Sequence, residues 1–252
     1  MRSFLFAFSI SAGRLVCLSL LALALPQRST AAEVKLPVTA SADVRNLDEA
    51  DQNFLTFIGR GGGKSSWQLL VRSGGTSAKP SFKTYLQADL RGQAGPGRPL
   101  GGGKVVLTAM ASGDPRSARP VSLYLYGITD HNDQWAEAEI TWNNAPKNDV
   151  KSPGGIRPEG TVRLAEVQLP GDVKEGPVEF KSEALTKYLN WKAGALTDAY
   201  GTGASQNAVA TFIVVASDRS PTFRFFSRLY ESKDPEQTAR SRPLVVLQPA
   251  AP

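Results

Sequence analysis

The run Val209–Ala216, VATFIVVA, is apolar at odd and even positions alike. Eight residues is strand length, and a strand that is apolar on both faces should be central in its sheet. Around it the chain is written in short β-type runs: residues 34–40, 53–58, 67–72, 82–90, 104–109, 121–128, 138–142, 162–167, 178–181, 222–229 and 243–247. The 23 glycines and 17 prolines punctuate these runs, and helical periodicity is nearly absent. The pattern predicts an all-β fold of sandwich or jelly-roll type, and a jelly-roll β-sandwich forming a single domain over residues 33–248 is the expectation. One short helix is expected in a connection, Glu183–Lys192, with Leu185, Tyr188 and Leu189 facing inward, Ser182 as N-cap and Gly194 as the stop. The Pro-Ala tail at 249–252 is expected to be disordered.

The first 32 residues have the build of a secretory signal. Arg2 and Arg14 precede an apolar run at 15–25, and Ser29, Thr30, Ala31 and Ala32 offer small residues for cleavage. An export signal implies a secreted or cell-surface protein, with the periplasm as a third destination. The only cysteine, Cys17, lies inside that segment, so the remaining chain has no disulfide to lean on. Removing Arg2, Arg14 and Arg28 leaves 26 Lys and Arg against 23 acids, a net charge of +3 rather than +6. No global basic field for nucleic acid is expected, nor any membrane contact once the signal is gone. Protein partners outside the cell remain compatible with these properties.

Strand parity separates core faces from candidate functional faces. In 82–90, Phe82, Thr84, Leu86, Ala88 and Leu90 share one face, and Lys83, Tyr85, Gln87 and Asp89 the other. In Val121–Ile128, Val121, Leu123 and Leu125 oppose Ser122, Tyr124 and Tyr126. In 222–230, Phe223, Phe225 and Leu229 read as buried, while Arg224, Phe226, Arg228 and Tyr230 read as outward. Lys83, Tyr85, Tyr124, Tyr126, Arg224 and Arg228 would form a basic and aromatic surface if their strands shared a sheet. Such a surface suits carbohydrate. Flat rings stack on sugar faces, and guanidinium groups grip carboxylates with paired hydrogen bonds.

Residues 133–146, DQWAEAEITWNNAP, carry two of the four tryptophans, Trp135 and Trp142. Alternation predicts a strand with Trp135, Glu137 and Glu139 on one face, leaving through the turn Asn143-Asn144-Ala145-Pro146. Both tryptophans, like Trp67 and Trp191, are expected to pack rather than bind. The segment resembles the W-x-E-x-x-I-T-W-N-N-A-P signature of secreted DNRLRE domains, which are grouped with carbohydrate-binding module family 96. Ser41-Ala42-Asp43-Val44-Arg45, SFKTYLQADL at 81–90, VSLYLYG at 121–127, and the segments 224–228 and 242–246 resemble further strands of that family, in its order. The resemblance covers residues 38–248 and implies non-catalytic binding of a polysaccharide, an acidic one such as alginate. A matrix or cell-surface structural protein is the alternative, and a polysaccharide lyase with a base near Tyr85 or Tyr126 a further one.

Other chemistry is poorly supplied. GRGGGKS at 59–65 lacks the spacing of a phosphate loop, because Ile58 stands where a glycine is required. His131 is the sole histidine, and no G-x-S-x-G elbow surrounds a serine. Glu137 and Glu139 lie side by side rather than across a scissile bond, so an ion-pairing or surface role is expected of them. No cofactor is required. A structural calcium is the one candidate, through the oxygen ligands of Asp130, Asn132 and Asp133, although Asp- and Asn-rich turns are commoner than calcium loops.

Overall fold

The computed structural model describes residues 32–54, 67–74, 80–113, 119–130, 133–152, 155–217 and 219–250. In chain order the strands are β1 (Val34–Pro37), β2 (Ala40–Arg45), β3 (Gln68–Val71), β4 (Phe82–Asp89), β5 (Leu100–Ala109), β6 (Ser112–Gly113), β7 (Val121–Ile128), β8 (Thr161–Leu169), β9 (Asp172–Val173) and β10 (Gly176–Lys181). The helix α1 (Glu183–Lys192) follows, then β11 (Val209–Ala216), β12 (Phe223–Phe226), the helix α2 (Pro235–Ser241) and β13 (Leu244–Pro249).

Two antiparallel sheets face each other. The first holds β1-β13-β5, with β10 on the other side of β5, and β12-β3 joined at its far end through Ala109 and Phe225. The second runs β2-β4-β11-β7-β8. The pairs β1/β13 and β5/β10 in one sheet nest with β4/β11 and β7/β8 in the other. This wrapped nesting is a jelly roll, as the strand pattern predicts. β11 is the middle strand of its sheet and is buried along almost its whole length.

The main core lies between the sheets. Val105, Leu107, Phe180, Val245 and Leu247 meet Leu86, Ala88, Leu123, Leu125, Phe212 and Val214 there. A second core lies on the opposite face of the β11 sheet, where Val44, Tyr85, Ile213 and Val215 pack beneath Ile140, Trp142 and Ala145. This five-stranded sheet is therefore covered on both sides.

The helix α1 occupies the predicted span. Ser182 Oγ accepts from the Leu185 amide at 2.9 Å, satisfying an otherwise orphaned donor. Gly194 ends the helical segment with a left-handed φ of +82°. Leu185, Tyr188 and Leu189 are fully buried. The Tyr188 hydroxyl reaches the carbonyls of Ile128 and Thr211, both at 3.1 Å, so the helix is tied to two strands of one sheet. Glycine makes this close seating possible. A Cβ on Gly103 would stand 2.4 Å from Leu189 Cδ1, and one on Gly127 would stand 2.8 Å from both Leu164 and the Tyr188 ring.

Several expectations are corrected. Residues 138–142 form turns instead of a strand, with the Glu139 and Ile140 amides both donating to the Ala136 carbonyl. A second helix, α2, is present, capped by Asp234. Phe226 is buried against Tyr230, and Trp67 is 40 % exposed. Pro249 is paired in β13 rather than loose, and the Ala250 amide donates to the Pro99 carbonyl at 3.2 Å. Residues 1–31 of the predicted signal at 1–32, the glycine-rich run at 59–65 and His131 lie outside the described residues, as does most of the predicted strand at 53–58. Among the described residues, no helix is long and apolar enough to cross a membrane.

Replacing Gly127 with alanine drives a methyl group into the Tyr188 ring and Leu164. The expected cost is about 1–3 kcal/mol, read as a lower midpoint in thermal unfolding. An unchanged midpoint would mean that α1 is not seated this closely.

Candidate functional site

The outer face of the β11 sheet is divided. Residues 133–152 and 155–157 fold over its β2-β4-β11 side as an irregular cover, and the β7-β8 side stays open. Irregular backbone laid over a sheet needs side-chain partners for its polar groups, and these are present. Asp133 is 1 % exposed. Its carboxylate pairs with Lys192 Nζ at 2.5 Å and accepts from Asn207 at 3.2 Å, and its carbonyl accepts from Thr211 Oγ1 at 3.2 Å. Asn53 donates to the carbonyls of Glu137 and Ile140, both at 2.9 Å. Trp142 is 2 % exposed, and its carbonyl accepts from Asn148 Nδ2 at 2.5 Å. Asn144 closes the Asn-Asn-Ala-Pro turn by accepting from the Thr141 amide at 2.7 Å.

The six predicted surface residues do not form one surface. Lys83 and Tyr85 are corrected: they point away from the main core, as parity requires, but the cover buries both, to 1 % and 0 %. The Tyr85 hydroxyl donates to the Pro146 carbonyl at 3.2 Å, and burial pushes it above the ordinary tyrosine range. It is inaccessible as a base. Lys83 Nζ donates to Asn148 Oδ1 at 2.6 Å and to the Gly155 carbonyl, and lies 4.4 Å from the Trp142 ring centre. Burial pulls its pKa down to about 7, with Asp149 acting in the opposite direction.

Arg224 lies on β12 in the other sheet and is exposed. Arg228, just past β12, grips Glu137 with two hydrogen bonds, Nε at 2.7 Å from Oε1 and an Nη2 contact to Oε2. The same carboxylate accepts from the Ser41 amide at 2.8 Å. Glu137 thus has the ion-pairing role expected of it, and Arg228 is partly used up in holding the cover. The two proposed calcium carboxylates each meet a lysine, Asp130 with Lys147 and Asp133 with Lys192. Asn132 is outside the described residues. Among those described, no group of three His, Cys, Asp or Glu side chains could hold a metal.

Tyr124 and Tyr126 remain at the open side, half-buried at their bases against the second core. Sequence reasoning missed their neighbour Arg163, whose guanidinium lies 5.2 Å from the Tyr124 ring centre. A register shift between Leu125 and Tyr126 pairs Tyr126 with Arg163, turns Leu164 inward and keeps Arg163 on the tyrosine face. Glu166 completes the group, accepting from Ser122 Oγ at 2.6 Å and lying 3.8 Å from Arg163. Tyr126 is raised above the ordinary tyrosine pKa by burial, with Arg163 pulling the other way. The arrangement offers ring faces flanked by an exposed guanidinium and hydroxyl-bearing groups.

A separate open cleft of about 590 Å³ lies between the start of α1 and the glycine run of β5. Lys181, Glu183, Lys187, Asn190 and Gln248 line it. Asn190 is not free for a ligand, since it brackets the Leu100 backbone with hydrogen bonds of 2.7 and 3.0 Å.

These features define a class: an all-β jelly-roll sandwich whose second sheet carries a partly covered outer face. No protein-family model matches the chain, and no curated protein is similar to it in sequence.

Substituting Asp133 with asparagine leaves Lys192 buried without its counter-charge. A loss of about 3–5 kcal/mol is expected, visible as an earlier urea midpoint. A loss below about 1 kcal/mol would mean that the pair does not anchor the cover.

Proposed function

We propose that this protein is exported and binds a polysaccharide without cleaving it, through the open β7-β8 face formed by Tyr124, Tyr126 and Arg163. One observation carries the reading: two tyrosines at alternate positions of one strand, with an exposed arginine 5.2 Å from the first ring. Tyrosine rings stack on the apolar faces of sugars, and arginine pairs with a carboxylate through two parallel donors. That chemistry favours an acidic polymer such as a uronate. The resemblance of residues 133–146 to the DNRLRE signature supports the same ligand class. The apolar run at 15–25 with its small-residue cleavage site supports export.

A lyase reading finds less support. A tyrosine base is helped by a lowered pKa, whereas Tyr126 is raised and Tyr85 is buried.

The test is affinity electrophoresis of the protein purified from expression of the full chain, in gels holding alginate, pectin or a neutral glucan, with ultraviolet absorbance of the polymers followed in parallel. Retardation by one acidic polymer with flat absorbance is expected. Arg163→Ala should weaken binding about tenfold or more, the scale of one charge-assisted contact. Raising the salt should weaken it too, because exposed charges are screened beyond about 10 Å at 0.1 M. Rising absorbance would turn the assignment to a lyase, and no retardation in any gel to a structural protein.

A further inference from the structure

We propose that Lys83 and Asn148 form an intramolecular amide cross-link, made by the protein itself with loss of ammonia, that staples β4 to the tryptophan-bearing cover. The inference is independent of polysaccharide binding and rests on how the two side chains are held.

Both side chains are 1 % exposed. Lys83 Nζ stands 2.6 Å from Asn148 Oδ1. With a C=O bond of about 1.23 Å, Nζ is then about 2.9–3.8 Å from the amide carbon. Reacting atoms in near-attack geometry lie about 3–3.5 Å apart. The amide cannot swing away, because its Nδ2 donates to the Trp142 carbonyl at 2.5 Å. The amine is held by the Gly155 carbonyl, and the Trp142 ring, 4.4 Å away, helps exclude water.

Lys83 also differs from other buried or paired lysines of the molecule. Lys104, Lys147 and Lys192 each meet a carboxylate, which keeps an ammonium charged and unreactive. Among the described residues, Lys83 Nζ has no carboxylate within ion-pair distance and meets carbonyl oxygens and an aromatic ring. Desolvation brings its pKa to about 7, so a substantial neutral fraction exists near neutral pH. A neutral amine is the nucleophile that amide chemistry needs.

The step balances without an oxidant, metal or cofactor. The Nζ lone pair adds to Cγ of Asn148, and the C=O pair moves onto oxygen. The carbonyl then re-forms and the Cγ–Nδ2 bond breaks. Nδ2 leaves as ammonia, carrying one proton taken from Nζ, and a secondary amide remains. The proton passes from Nζ to Nδ2 within the tetrahedral adduct, and the negative charge of Asp149, one residue along, favours the positive charge Nζ carries until then. The bond would close a 65-residue separation in a chain whose one cysteine is at position 17. It would hold an irregular cover where a disulfide has no residues to form.

Mass spectrometry of the purified protein decides it. Expression of the full chain, with the N-terminus of the product identified, should yield a protein lighter by one ammonia than its sequence. A tryptic digest should contain a branched peptide joining Lys83 to Asn148, uncut after Lys83. Lys83→Met should restore the full mass, which denaturing conditions read whether or not that variant folds. Full mass in the unsubstituted protein, with cleavage after Lys83, would overturn the proposal. Ammonia loss without the branched peptide, as from a cyclised asparagine elsewhere, would overturn it equally.

Discussion

Everything on the outer side of the β11 sheet follows from the way its second core is closed. Val44, Tyr85, Ile213 and Val215 need a lid, and the lid is residues 133–152 and 155–157, segments with almost no regular hydrogen-bonding of their own. A loop over an apolar face has backbone donors and acceptors that lose water without gaining a ladder. The molecule meets this demand with side chains brought from every direction. Lys192 comes from α1, Asn207 and Thr211 from in and before β11, Arg228 from beyond β12, and Lys83 and Tyr85 from β4. Trp142 fills the middle. The buried charges among them have partners, the condition under which such groups are tolerated.

The limits of the lid set the open surface. It reaches across β2, β4 and β11 and the Ile128 end of β7, and leaves Ser122, Tyr124 and Tyr126 of β7 half-exposed and Arg163 and Glu166 of β8 in solvent. On those strands the register shift after Leu125 keeps Arg163 beside Tyr126 and sends Leu164 into the main core. The bulge therefore maintains two faces at once: an unbroken apolar inner layer, and an outer row in which ring, guanidinium and hydroxyl groups alternate. The glycines at 103 and 127 play the corresponding role at the end of the sandwich, where α1 sits closer than any Cβ would permit.

Much of the architecture was legible from strand parity and turn chemistry. Val209–Ala216 could only be central, and the Ser182 cap and Gly194 stop bounded α1 correctly. The candidate site was legible only in part. Lys83 and Tyr124 have the same alternation signal on their strands, yet one ends beneath the lid and the other at a half-open surface. Period two tells which side chains share a side of a sheet and says nothing about what is laid over that side. Alternation also misread residues 138–142, because a short apolar-polar rhythm is satisfied by turns anchored at Trp142 as well as by a strand. Arg163 escaped notice since a bulge shifts parity without a mark in the sequence.

By itself, then, the sequence determined the local choices: strands where β-branched and aromatic residues recur with period two, a capped helix, turns at glycine and proline, and a core large enough without disulfides. Local energetics decides those within a few residues of the chain. Which cation meets which carboxylate, which outward face is sealed and which is open, were decided only by tertiary structure. Those outcomes depend on segments as far apart as Ser41 and Arg228 arriving at one place, where desolvation makes an unpaired polar group costly and a paired one tolerable.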